Sequence, residues 1–449
     1  MNKAYIAFDL GASSGRLMLG IDKEGKIELE EVHRFPNDPV VMNGTMYWDI
    51  PRLFHEMKQG LKKVALRKDV SIQSMGIDTW GVDGAWLDEN GQMINLPIHY
   101  RDGRTAKVID EVESIISEET LYGITGIQKA AFNTIYQLYY DKKYNSIIKN
   151  HGKKWLFTPD LLGYLFTGKM YNEATIASTS GLIDVETKGY SKEIFDKLAL
   201  DRNVMCELVP PGTQVGTLTK AIQEETGLGS IPVIAVGSHD TASAVVGAEI
   251  EKEDEMYLVC GTWCLMGLEV SKAQLEEKAR LSGFTNEGSA KGKVRLLKNI
   301  NGLWILQQLK KCLNDKGLKV DFPDIIEEVR KVNHGYAIDI ADERFMAPIN
   351  MEQEIIAACK EKYNVQLESI GEVATAVYNG LGKLYQETVH QFEELIGEEI
   401  STIRMVGGGT KDAHLCEVVK QATHKVVIKG TTEASAMGNV LVQKNTLRL

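Results

Sequence analysis

The stretch Pro232-Val233-Ile234-Ala235-Val236-Gly237-Ser238-His239-Asp240-Thr241-Ala242-Ser243-Ala244 decides how the chain is read. A short apolar run bounded by Pro and Gly reads as a buried strand. The small-residue run from Ala242 to Ala248, behind a Ser/Asp/Thr cluster, reads as a capped helix. His239 and Asp240 therefore stand at the carboxyl end of a strand, where open α/β sheets bind ligands. An Asp in front of a helix most often caps it by accepting backbone N–H bonds. The alternative is that Asp240 is a general base, and the flanking chain favours that role.

With 449 residues the chain is too long for one core and suits two large domains. Hydrophobic residues make up 43% and charged residues 25%, as in an ordinary globular protein. The net charge of -11, from 51 Lys+Arg against 62 Asp+Glu, argues against a nucleic-acid partner or an anionic membrane surface. Any anionic ligand must be held by backbone donors and a few basic side chains. Cys206, Cys260, Cys264, Cys312, Cys359 and Cys416 form no CxxC pair and have no histidines at zinc spacing. They are expected to be small buried hydrophobes in a reducing compartment, with no structural metal. Met1-Asn2-Lys3 leads into a strand pattern without the apolar core of a signal peptide, and no apolar run approaches bilayer length. A cytoplasmic protein is expected.

Tyr5 to Phe8 and Leu17 to Leu19 are apolar runs about a small-residue turn, a β-hairpin pattern, and a third strand follows near Ile27 to Val32. Asp49 and Pro51 signal a helix start, and Leu53, Met57, Leu61 and Val64 recur at helical spacing. A strand over 72–77 delivers Asp78 to Asp83, and Asp88-Glu89-Asn90-Gly91 predicts a further hairpin. Residues 104–200 read as mostly helical. The second half opens as the first does, with Met256 to Val259, a Gly turn, and Cys264 to Val270. A long helix over 367–395, strand Thr402 to Val406, helix Ala413 to Thr423, strand Val426 to Ile428 and helix Glu433 to Leu441 complete the pattern. Strands alternating with helices predict two α/β domains with mixed sheets.

A turn of Gly, Ser and Ala exposes consecutive backbone N–H groups that can cradle phosphate. Asp9-Leu10-Gly11-Ala12-Ser13-Ser14-Gly15-Arg16 adds two hydroxyls and a guanidinium. One such loop is an ordinary turn; two at corresponding places in the two halves point to nucleotide. Asp9 suits Mg²⁺ held through water. Gly407-Gly408-Gly409 lets backbone approach a flat ligand. No GxxxxGK[ST] occurs, which excludes a P-loop. Asp78, Asp83, His239 and Asp240 are candidates for acid/base work and for binding sugar hydroxyls. Trp80 is a candidate cover for a sugar face, although core packing is its commoner role.

Together these stretches resemble the FGGY carbohydrate kinases. The resemblance runs through Asp9 to Arg16, His33-Arg34-Phe35, Gly76 to Asp83, Tyr100-Arg101-Asp102, Phe132-Asn133-Thr134 and Ser238 to Ser243. It continues through Gly261-Thr262-Trp263, Leu297-Lys298-Asn299, Gly302-Leu303-Trp304, Val406 to Gly409 and Glu433-Ala434-Ser435. It implies two actin-like (ribonuclease H-like) domains with an active-site cleft between them. Residues 1–245 would carry the sugar site, phosphate loop and catalytic Asp, and residues 246–449 would bind ATP. The implied reaction moves the γ-phosphoryl of ATP to the terminal hydroxyl of a ketose, L-rhamnulose ahead of L-fuculose or L-xylulose. Asp240 would accept the hydroxyl proton, and Gly81, His239, Asp240, Thr241 and Asn299 would bind the sugar. Ala12, Ser13, Ser14, Gly15, Arg16, Thr262, Gln307, Gly407, Gly408 and Gly409 would bind ATP, with Asp9 near Mg²⁺. A monomer or homodimer is expected. The chain departs from the family pattern at Cys260 and Cys264, where serines are usual, at Gly84-Ala85-Trp86, and in stopping at Leu449. An actin-like ATP-binding protein that phosphorylates no sugar, or a non-catalytic sugar binder, would share parts of this pattern.

Overall fold

The computed structural model describes residues 1–261, 263–346 and 348–447. It divides into two compact units. The first comprises residues 1–249, 269–296 and 434–449, and the second comprises 250–268 and 297–433.

The first unit begins with β1 (Asn2–Leu10), β2 (Ser14–Lys23) and β3 (Lys26–Pro36), an antiparallel meander. Helix α1 (Ile50–Ala65) follows, with the Asp49 side chain accepting from Arg52 N and Pro51 in its first turn. Leu53, Met57, Leu61 and Val64 form its buried stripe, and covering each such side chain contributes roughly 1.5–3 kcal/mol. β4 (Val70–Thr79) returns parallel to β1. The turn at Asp88–Gly91 is present, but the expected hairpin reduces to a single bridge between Leu87 and Met93. β5 (Gly84–Leu87) pairs instead with β6 (Lys154–Phe157), which places Trp86 opposite Trp155. Burying two indoles together outweighs the local turn.

Helices α2 (Thr134–Tyr144), α3 (Thr158–Thr167) and the short α4 (Ala174–Ser178) are among the helices of the region read as helical. β7 (Gln214–Thr217) and β8 (Pro232–Ile234) complete a sheet of order β7-β8-β4-β1-β2-β3, and α5 (Asp240–Gly247) follows β8.

β9 (Glu255–Cys260) and β10 (Trp263–Val270) repeat the antiparallel hairpin. β11 (Phe284–Gly288) and β12 (Val294–Asn301) come next, then α6 (Trp304–Asp315). The 27-residue α7 (Ile370–Ile396) starts at a capping box between Ser369 and Glu372. β13 (Thr402–Val406) and β14 (Val426–Lys429) flank α8 (Ala413–Thr423), and α9 (Ala434–Thr446) ends the chain. The second sheet contains the run β12-β10-β9-β13-β14, matching β3-β2-β1-β4-β8 of the first. In both, a hairpin strand pairs in parallel with the strand that follows a helix. The duplicated Gly-turn hairpins belong to a duplicated sheet.

Helix α9 belongs to the first unit and packs on α5. A Cβ on Gly438 would lie 1.7 Å from the carbonyl oxygen of Ser243, so only glycine permits this contact. Among the described residues no helix is long and apolar enough to cross a membrane. Cys206, Cys260, Cys264 and Cys359 are buried as expected, whereas Cys312 and Cys416 are half-buried on helices whose apolar stripe lies elsewhere.

Candidate active site

Three carboxylates stand at the carboxyl ends of adjacent parallel strands. Asp9 on β1 and Asp78 on β4 are register partners. The next strand is tied in where Thr79 N donates to Ser238 O at 2.9 Å, so His239 and Asp240 follow at the same edge. Asp240 is not a cap. His239 occupies the N-cap position of α5 without a side-chain cap bond, and Asp240 is the first helical residue. Its Oδ1 accepts from Thr241 Oγ1 at 3.1 Å, and its side chain is 30% exposed, open enough to meet a ligand.

Asp78 is fully buried. Burial first, then the nearby charges of Asp9 and Asp240, push its carboxyl well above the usual carboxylate range. Asn439 Nδ2 on α9 donates to its Oδ2 at 2.6 Å, while Oδ1 is buried without a hydrogen-bond partner.

The β1–β2 turn is closed by Gly11 N donating to Ser14 O at 2.9 Å, and Asn37 Nδ2 donates to Gly11 O at 2.8 Å. Ser13 is exposed; Ala12, Ser14 and Arg16 are half-buried. A Cβ on Gly15 would lie 2.3 Å from the Phe35 ring, so close packing against β3 demands glycine there. Arg16 Nη2 pairs with Asp9 Oδ2 at 2.5 Å. Asp9 therefore shares its charge with a guanidinium, and among the described residues no three His, Cys, Asp or Glu side chains group as metal ligands. An oxygen-only set with Asp78 Oδ1 unsatisfied beside Asp9 fits a hard cation that keeps most of its waters.

Beside His239, a Cβ on Gly81 would lie 3.3 Å from Thr179 and 3.4 Å from His239 Nε2. Glycine at 81 keeps that imidazole edge open. Thr241 is buried beside it. Asp83 is corrected from a candidate sugar ligand to a structural hub. Trp48 Nε1 at 2.6 Å, Trp80 Nε1 at 3.2 Å and Tyr100 N at 3.1 Å all donate to its Oδ2. Gln137 Nε2 donates to its Oδ1 at 3.0 Å. Burial pushes its carboxyl up to about 6 against these donors. Trp80 is core, its ring centroid 3.9 Å from that of Trp48.

In the second unit Cys260 and Cys264 face each other across the β9–β10 hairpin. Thr262 lies outside the described residues. Gly407 has φ 88° and donates to Thr431 O at 3.0 Å. A Cβ on Gly409 would lie 2.4 Å from Cys260 Cβ, while Gly408 is open. Gln307 is half-buried on α6, whose preceding Leu303 N donates to Gly261 O at 3.2 Å; Asn299 is exposed on β12. The first unit thus gathers Asp9, the 12–16 loop, Gly81, His239, Asp240 and Thr241. The second gathers the Gly261 turn with the 407–409 turn.

Sequence reading missed Glu173, Glu287, Arg295 and Asn439. Glu173 Oε2 accepts from Ser238 N at 3.2 Å and from Thr175 Oγ1 at 2.6 Å, and that hydroxyl accepts from His239 N at 3.3 Å. These residues lie far from position 239 in sequence, and no local pattern marks them.

Residues 4–247 match the N-terminal domain, and 256–445 the C-terminal domain, of the FGGY family of carbohydrate kinases. The chain belongs to that family. It is 40% identical over 443 residues to a rhamnulokinase of Oceanobacillus iheyensis, covering 99% of this chain and 93% of that one. It is 37% identical to a rhamnulokinase of Bacteroides thetaiotaomicron, covering 100% and 91%. Its fold is similar to that of a ligand-bound xylulose kinase from Lactobacillus acidophilus, with TM-score 0.84 at 16% identity over 99% of this chain and 90% of that one. The fold is actin-like, as the resemblance implied.

Proposed function

We propose that the chain transfers the γ-phosphoryl group of ATP to the terminal C1 hydroxyl of L-rhamnulose. The products are L-rhamnulose 1-phosphate and ADP, a step of L-rhamnose catabolism. Near full-length similarity to relatives named rhamnulokinase supports the choice of sugar. One observation supports the chemistry: Asp240 presents a part-exposed carboxylate at a strand end, with no capping duty.

In this reading Asp240 takes the proton of the attacking hydroxyl. Phosphoryl transfer depends mainly on positioning and charge neutralisation, so the base needs reach rather than a raised pKa. Gly81, His239, Thr241 and Asn299 hold the sugar. Ala12, Ser13, Ser14, Gly15, Arg16, Thr262, Gln307, Gly407, Gly408 and Gly409 hold ATP. Asp9 holds Mg²⁺ through water, and the ion, when bound, neutralises phosphate charge. Residues 1–245 supply the sugar-binding domain with the phosphate loop and the base, and 246–449 the ATP-binding domain. The protein works in the reducing cytoplasm as a monomer or homodimer.

Coupled ADP release with Mg-ATP tests the reading across L-rhamnulose, L-fuculose, L-xylulose, D-ribulose and glycerol. The largest kcat/KM is expected with L-rhamnulose. Preference for another ketose would overturn the substrate, and sugar-independent ADP release would overturn the kinase reading.

A further inference from the structure

The His239 ring is held from behind by two side chains brought from β11 and β12. Glu287 Oε2 lies 3.2 Å and Arg295 Nη2 3.1 Å from His239 Nδ1. The same Nη2 donates to Glu287 Oε2 at 2.8 Å, and Arg295 Nε donates to Gly288 O at 2.8 Å. Arg295 is fully buried. Burial pushes the Glu287 carboxyl up, but the Arg295 guanidinium beside it more than offsets this and holds it below the usual carboxylate range.

A guanidinium can only donate, and each Nη carries two hydrogens. One hydrogen of Arg295 Nη2 serves Glu287, which leaves the other directed at Nδ1. Were Nδ1 to carry a proton, two N–H groups would oppose each other at 3.1 Å. Glu287 Oε2 lies 3.2 Å from the same nitrogen, but the hydrogen bond at Nδ1 is the one to Arg295 Nη2. The buried Arg–Glu pair, close to neutral overall, fixes the orientation of the ring. The far edge, Nε2, faces Gly81 and lies 3.5 Å from Asp240 Oδ1.

We infer that Glu287 and Arg295 are positioning residues that lock His239 in its Nε2–H tautomer. The ring then offers a donor beside the carboxylate of Asp240. That donor meets an oxygen of the substrate next to the hydroxyl that gives up its proton, and a polyhydroxy ketone or other polyol supplies such an oxygen. The charged groups facing His239 are Asp240 on α5, Glu287 on β11 and Arg295 on β12; Glu173 reaches it only through Thr175. The kinetic consequence rests on the kinase reading, whereas the tautomer does not.

Two measurements separate these. Ring ¹⁵N shifts in protein labelled at its nine histidines, with His239 assigned by its loss in His239→Gln, read the tautomer without sugar or ATP. Wild-type protein is expected to show a pyridine-type Nδ1 and a pyrrole-type Nε2. Arg295→Met leaves Glu287 free to accept from Nδ1 and is expected to reverse that pattern. The double variant Glu287→Gln/Arg295→Met removes both charges and so leaves no lone buried charge. Loss of one oriented hydrogen bond is expected to raise the sugar KM about tenfold in Arg295→Met, with the ATP KM little changed. A pyrrole-type Nδ1 in wild type, or unchanged shifts and sugar KM in both variants, would overturn the inference. A reversed tautomer in Arg295→Met with no sugar-dependent turnover in any form would sustain it and instead count against the kinase reading.

Discussion

Asn439 Nδ2 donates to Asp78 Oδ2 at 2.6 Å across 361 residues of chain. The final helix thereby supplies the side chain that satisfies a buried carboxyl in the central sheet. Gln443, one turn on, donates from Nε2 to Asn439 Oδ1 at 2.6 Å and to Ile6 O at 2.9 Å. Asn439→Ala leaves Asp78 buried without its donor. A loss of about 1–3 kcal/mol in urea unfolding is expected. An unchanged midpoint would mean that Asp78 finds another partner.

Asp83 gives stability a pH dependence of known sign. Its folded-state pKa, about 6, lies above that of an unfolded Asp, near 3.9. The folded state therefore holds the proton longer, and stability present below about pH 4 is lost as pH rises to about 6. The loss is about 3 kcal/mol for one such group. Asp83→Asn should flatten this slope in denaturant titrations between pH 4 and 6. Asp78, Asp141 and Asp160 shift in the same direction and keep a residual slope.

Gly15→Ala drives a methyl group into the Phe35 ring and Leu10, since the added carbon would lie 2.3 Å and 2.8 Å from them. The β1–β2 turn must shift, and with it the donors proposed for ATP. A rise of about tenfold in the ATP KM is expected, equivalent to one lost hydrogen bond, with a smaller change for sugar. An equal rise in both would place the turn outside the nucleotide site.

What was legible in the sequence was what local pattern controls. The Tyr5–Phe8 strand, the Leu53/Met57/Leu61/Val64 stripe and the Ala413–Thr423 helix follow from periodicity and caps, and the structure has each of them. The two Gly-turn hairpins correctly signalled duplicated sheets. Non-local pairing was not legible. β5 pairs with β6 about seventy residues on, and no turn signal announces it. Asp83 was legible only as a turn residue or a candidate sugar ligand because its role depends on Trp48, Tyr100 and Gln137 converging from three other segments. For Asp240 a cap stood as the alternative to a base because a strand-to-helix corner is ambiguous by one residue, and His239 takes the cap position. Glu287 and Arg295 reach His239 from about fifty residues away.

The central claim is that Asp240 is the base, and steady-state kinetics of Asp240→Asn tests it most directly. The amide keeps the shape and cannot take the proton. With Mg-ATP and L-rhamnulose, kcat is expected to fall by a factor of about 10² to 10⁴, with nucleotide affinity little changed. Turnover at the wild-type rate in a folded Asp240→Asn protein would contradict the account and move the base elsewhere.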